Sequence, residues 1–186
     1  HRAVPRVLLL LPTGTYRAAD FLAAAGHLGV EVVVGSERRQ ALSGLMGDRT
    51  AVVPLEAHDA AVDAIVALHR RAPLDAVVAV DDPGAVIAAT AAERLGLRHN
   101  PPGAVAATRD KGTMRDRFGA ASVPQPVWRL VADGADVVAA ADEVGYPCVV
   151  KPVSRSASQG VIRVEDAAGA AKAGARIRAL LGDCPE

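Results

Sequence analysis

The feature that most constrains this chain lies between residues 6 and 97, where short runs apolar on both faces alternate with segments of helical spacing. "RVLLLL" (6–11), "VEVVVGS" (30–36), "RTAVVPL" (49–55) and "DAVVAVD" (75–81) have strand length, and few of their positions could face water. Between them, "YRAADFLAAAGHLG" (16–29) puts Phe21, Leu22, Ala25 and Leu28 on one helical face, with Gly29 as a stop. "HDAAVDAIVALHRRA" (58–72) stacks Val62, Ile65, Val66 and His69. "DPGAVIAATAAERLGL" (82–97) reads as a third helix, with Asp82 as the expected N-cap and Pro83 in the first helical position. Strands that need cover on both faces, separated by amphipathic helices, predict a parallel sheet with helices on either side. That is a Rossmann-like layout. Aromatic residues are only 3% of the chain, so the core is built from small side chains. The first strand–helix turn, "LPTGTY" (11–16), has one glycine where G-x-G-x-x-G needs three, which argues against a dinucleotide site.

Beyond residue 98 the pattern changes. "HNPPGAVAATRDKGTMRDRFGAAS" (99–122) reads as two helical segments meeting near Asp110, with Asn100 and Pro101 at the start. "VPQP" (123–126) is stiff and extended. "VWRLVA" (127–132) reads as a strand and "DGADVVAAADEVG" (133–145) as a helix capped by Asp133. "CVV" and "VIRVED" (161–166) read as a hairpin, followed by a terminal helix after Asp166. The expected division is therefore a Rossmann-like domain over 1–98, a helical connection over 99–122 and a small α+β unit over 123–186.

Lysines plus arginines equal aspartates plus glutamates, 21 each, which argues against a nucleic-acid surface. Cys148 and Cys184 form neither a disulfide framework nor a zinc site, the five histidines show no metal spacing, and a reducing, cytoplasmic setting fits best. No apolar run approaches the ~20 residues that span a bilayer, so no membrane partner is expected. The chain begins at His1 and not at methionine, which predicts a trimmed or replaced start.

The candidate chemistry centres on "YPCVVKPVSRSASQGV" (146–161). Lys151 ends an apolar strand, where an ammonium group needs water or an anion. Ser154 to Gly160 follow with little side-chain bulk, so backbone N–H groups and serine hydroxyls can approach phosphate oxygens. Taken alone, the stretch reads equally as a snorkelling lysine before an ordinary mobile hairpin. The Walker pattern is absent, because here the lysine precedes the loop. Asp81 and Asp82 end a parallel strand and the Thr13–Gly14–Thr15 turn opens a helix. Those are places where α/β folds hold ligands, although a cap and a turn explain them as well.

"TRDKGTMRDRFGAASVPQPVWRLV" followed by "VGYPCVVKPVSRSASQGVIRV" resembles the ATP-grasp superfamily. Asp110, Lys111, Met114, Pro124, Pro126, Gly145, Tyr146, Pro147, Lys151, Pro152, Ser158, Gly160 and Val161 carry the resemblance in order. It is closest to the amino-acid ligase-like carboxylate–amine ligases and is similar to biotin carboxylase in the same segments. The implied fold class is α/β: a Rossmann-like pre-ATP-grasp domain, then a small α+β ATP-grasp N-terminal subdomain. The resemblance implies that Lys111 and Lys151 bind ATP phosphates, and that Ser156, Ala157, Ser158, Gln159 and Gly160 form a lid. It implies ATP and Mg2+ as cofactors, a small-molecule carboxylate and an amine as substrates, and a homodimer. The acidic magnesium ligands are expected beyond this region, none within it, and the chain stops near where the hinge strand should begin. The expectation is thus the N-terminal part of an ADP-forming ligase acting through an acyl phosphate, inactive alone. Biotin carboxylase-like carboxylation and a non-enzymatic nucleotide- or metabolite-binding module are the alternatives. Two positions depart from the pattern: Ser122 stands where glycine is usual, and Gln159 where a basic residue is frequent.

Overall fold

A computed structural model describes residues 4–15, 17–38 and 49–182. The chain divides into two compact units, His1–Ala106 and Ala107–Glu186.

In the first unit, β1 (Arg6–Leu10), α1 (Ala18–Leu28), β2 (Glu31–Ser36), β3 (Thr50–Val52), α2 (His58–Arg71), β4 (Ala76–Ala79) and α3 (Ala85–Arg94) follow in order. The four strands form one parallel sheet in the order β3-β2-β1-β4. Val7 to Leu10 of β1 are all apolar because both faces of the strand are covered. Leu8 and Leu10 pack with Val33, Val62, Ile65 and Ile87, toward α2 and α3, while Leu9 and Leu11 pack with Val34, Val80 and Phe21, toward α1. Alternation of period two sends consecutive leucines into opposite cores. Burying each contributes on the order of 1.5–3 kcal/mol.

α1 ends as expected at Gly29, whose φ of 64° lies in the left-handed region. The Asp82 expectation needs correction. Asp82 opens a single 3-10 turn (Asp82–Gly84) flanked by Asp81, and no side-chain bond caps that turn. With Pro83 inside a tight first turn, the cap geometry of a regular helix start is not reached.

The boundary falls within α4 (Pro102–Arg109), and the second unit then holds α5 (Lys111–Ala120), α6 (Val137–Val144), β5 (Cys148–Val150), β6 (Ile162–Val164) and α7 (Ala167–Leu181). β5 and β6 pair antiparallel, with Val149 opposite Arg163. Ala141, Val164, Ala170 and Ala173 form the core against α6 and α7, joined by half-buried Cys148 and Val150. Val149, of opposite parity, is 52% exposed.

Two expected elements are corrected here. Residues 127–132 form no strand, and Val127 and Leu130 are left exposed. An apolar run becomes a strand only where a neighbour supplies the ladder, and among the described residues none does. The helix expected at 133–145 begins instead at Val137. Gly134 takes a left-handed φ of 75° that breaks the start, and Asp136, not Asp133, caps the helix by accepting from the Val138 and Ala139 amides. No described helix is long and apolar enough to cross a membrane.

Candidate functional site

The candidate site of the second unit is a cleft of about 810 Å³ between the β5 strand, the 126–131 segment and the loop after Lys151. Lys111 and Lys151 both line it. They arrive by different routes. Asp110 caps α5 by accepting from the Thr113 amide at 2.6 Å, which sets the helix start and so the position of Lys111. That bond holds the Asp110 carboxyl below the usual carboxylate range. Lys151 follows directly from the last β5 residue.

The Lys111 ammonium donates to the Val153 carbonyl at 3.0 Å and the Arg155 carbonyl at 2.6 Å, while its backbone amide also donates to Val153. One lysine therefore fastens the root of the loop to the start of α5. Lys151 is exposed and also lines a smaller cleft of about 380 Å³ with Asp133 and Arg178.

The loop tip is a tight turn. Ala157 and Ser158 both have positive φ, 53° and 59°, and the Gln159 amide donates to the Ser156 carbonyl. Two successive left-handed residues closed by that bond are the signature of a type I′ turn, where side chains beyond glycine, asparagine and aspartate are uncommon. Ser156, Ala157 and Ser158 line the cleft, whereas Gln159 and Gly160 do not. Gly160 instead faces the body of the unit. A Cβ built there would lie 2.8 Å from Pro152 Cγ and 2.9 Å from Leu180 Cδ2.

The wall also holds cations that the sequence reasoning did not single out. Arg115, Arg129 and Arg155 line the cleft beside the two lysines, and no carboxylate does so among the described residues. Arg129 is paired with Glu143 at 2.6 Å, and Arg115 bonds the Gln125 amide oxygen at 3.4 Å. In a chain of zero formal net charge, this is a strong local segregation of sign. The signal that could have found them is proximity in sequence to the two lysines, since Arg115 lies one helical turn after Lys111 and Arg155 four residues after Lys151.

In the first unit, the Thr13–Gly14–Thr15 turn does hold a carboxylate, and it is the protein's own. Glu37 accepts from the Thr13 amide at 3.0 Å and the Thr13 hydroxyl at 2.7 Å. Partial burial raises the Glu37 carboxyl, but these bonds, with Arg38 nearby, outweigh it and leave the group below its usual range. His99 Nδ1 donates to the Leu97 carbonyl at 2.8 Å, and its Nε2 stands 3.7 Å from Glu93. Among the described residues no three His, Cys, Asp or Glu side chains gather as a metal site.

A doubly covered parallel sheet and a hairpin unit with a cation-lined cleft define an α/β protein of two compact units. Residues 22–99 match the family model of the ATP-grasp N-terminal domain. It is 34% identical over 105 residues to alanine–anticapsin ligase of Bacillus subtilis strain 168, a match covering 56% of this chain and 22% of that protein. It is 36% identical over 90 residues to D-alanine–D-alanine ligase of Laribacter hongkongensis, covering 47% of this chain and 29% of that one. The fold is shared with N5-carboxyaminoimidazole ribonucleotide synthetase in its ADP complex, at a TM-score of 0.72 and 17% identity, over 95% of this chain and 45% of that structure. The chain thus spans less than half the length of each of these three relatives.

Proposed function

We propose that this chain is the leading part of an ATP-dependent, ADP-forming carboxylate–amine ligase, and that the cleft of its second unit receives the nucleotide triphosphate. The observation that carries this is the cleft wall itself, with Lys111, Arg115, Arg129, Lys151 and Arg155 and no carboxylate among the described residues. A wall of that sign suits a polyanion. Phosphoryl transfer asks a protein chiefly to position the phosphates and neutralise their charge. Lys151 supplies an exposed ammonium, Lys111 ties the loop root in place, and Ser156 to Ser158 bring backbone donors close. Closing this loop would keep water from an acyl phosphate formed on the carboxylate substrate before an amine displaces the phosphate.

Magnesium fits this half poorly, because a hard cation wants oxygen ligands and the wall offers no carboxylate. It would arrive bound to the nucleotide, with its protein ligands supplied elsewhere. This chain alone is accordingly expected to bind ATP weakly and not to turn it over. The amino-acid ligase names of the sequence relatives support small carboxylate and amine substrates. Isothermal titration of ATP into the protein and its Lys111→Ala and Lys151→Ala variants tests the reading. Loss of a charge-assisted bond of roughly 1.5–3 kcal/mol weakens binding about 10- to 100-fold. Unchanged affinity in both variants would refute the site.

A further inference from the structure

The cleft contains one polar group that the proposed site leaves unexplained. The Nε of Arg155 is buried and makes no hydrogen bond, although the residue lines the cleft. An unsatisfied buried donor costs about 1–3 kcal/mol, more when charged, and such groups call for a reason. Arg155 also occupies a mechanically important point. Its carbonyl receives the 2.6 Å bond from the Lys111 ammonium, and the left-handed pair Ala157 and Ser158 follows within three residues. Arg155 lines the same cleft as both lysines and sits at the base of the tight turn.

We infer that Arg155 is a third phosphate ligand of this cleft, a binding residue specific to polyphosphate. This rests on the reading of the cleft as a triphosphate site, and extends it to a residue that the family resemblance does not assign. A guanidinium presents a planar fork that matches two phosphate oxygens, which an ammonium cannot do. Two lysines act as point charges; Arg155 adds orientation. Its Nε–H is shielded from solvent, so a phosphate oxygen reaches it only when the atoms covering it shift. Binding thereby satisfies a donor that is otherwise orphaned, which couples phosphate arrival to a local rearrangement at Arg155.

The test uses the 15N-labelled chain titrated with inorganic tripolyphosphate, with ATP, and with adenosine as the uncharged comparison. The Arg155 Nε–H resonance is followed directly, alongside affinities of Arg155→Gln, Arg155→Lys, Lys151→Ala and Arg163→Gln. Arg163 is an exposed hairpin cation paired with Glu165 and outside the cleft, so its loss controls for net charge. The expected result is a shift of the Arg155 resonance by tripolyphosphate and ATP but not by adenosine. Both Arg155 variants should bind about tenfold more weakly, and Arg163→Gln as the parent does. Wild-type affinity in both Arg155 variants with weakened Lys151→Ala overturns the inference and leaves the triphosphate reading standing. No response of the parent chain to either polyphosphate, or no loss in Lys151→Ala, overturns both. Should the variants unfold, the parent's resonance decides alone, and an unmoved Nε–H refutes the role.

Discussion

Substituting alanine for Gly160 puts the geometry of the loop to a quantitative test. Gly160 has a φ of +74°, and its missing Cβ would sit 2.8 Å from Pro152 Cγ and 2.9 Å from Leu180 Cδ2. The left-handed conformation costs an L-residue about 1–2 kcal/mol. Overpacking against a ring and a leucine methyl adds about 1–3 kcal/mol. The sum, about 2–5 kcal/mol, is large for a unit of 80 residues (106 subtracted from 186), whose whole stability is on the order of 4–12 kcal/mol. Gly134 separates the two contributions, because its φ is +75° but no atom lies within 4 Å of its built Cβ. Gly134→Ala should therefore lose only the backbone part. Trp128, the one tryptophan of the chain and part of this unit, reports urea unfolding by fluorescence. The midpoint of Gly160→Ala should fall well below that of Gly134→Ala. In a Leu180→Ala background the Gly160 penalty should shrink, since the clashing methyl is gone. Equal losses at the two glycines would show that the close approach of the loop to Pro152 and Leu180 is not what requires glycine.

Two further outcomes follow from the same structure. Asp110→Ala removes the α5 cap and should cost about 1 kcal/mol in the same urea assay, while loosening the helix start that places Lys111. Glu37, held below its usual value of 4.5, contributes stability that is present above that value and lost as pH falls through the lower folded-state value. Thermal unfolding followed by circular dichroism should show Tm falling below about pH 4.5, with a shallower fall in Glu37→Gln; parallel curves would refute the Thr13–Glu37 assignment.

Much of the site was legible along the chain. The junction at Asp110, Lys151 at a strand end, the hairpin and the low-bulk loop each follow from local spacing and residue type, whereas Lys111 was reached only through the family resemblance. Ser122 shows why a family preference exists: its φ is 54°, so the position where glycine is usual is left-handed here too. The Asp133 and Asp82 caps were misplaced because a single left-handed glycine and a proline-tightened turn shift a helix start by several residues, and hydrophobic periodicity does not register them. The strand over 127–132 failed because apolarity was read as pairing.

By itself the sequence determined the doubly covered parallel sheet, since leucines and valines without a polar face have no other way to leave water. It also determined the low bulk of the loop after Lys151, since Ser154 to Gly160 carry few large side chains. Only the tertiary structure decided what each group touches. It bonded Lys111 to the carbonyls of Val153 and Arg155, filled the Thr13 turn before α1 with Glu37, turned Gly160 inward against Leu180, and gathered Arg115, Arg129 and Arg155 onto one wall. Those partnerships join residues ten to forty or more positions apart, and local propensity carries no information about contacts closed only when the chain packs.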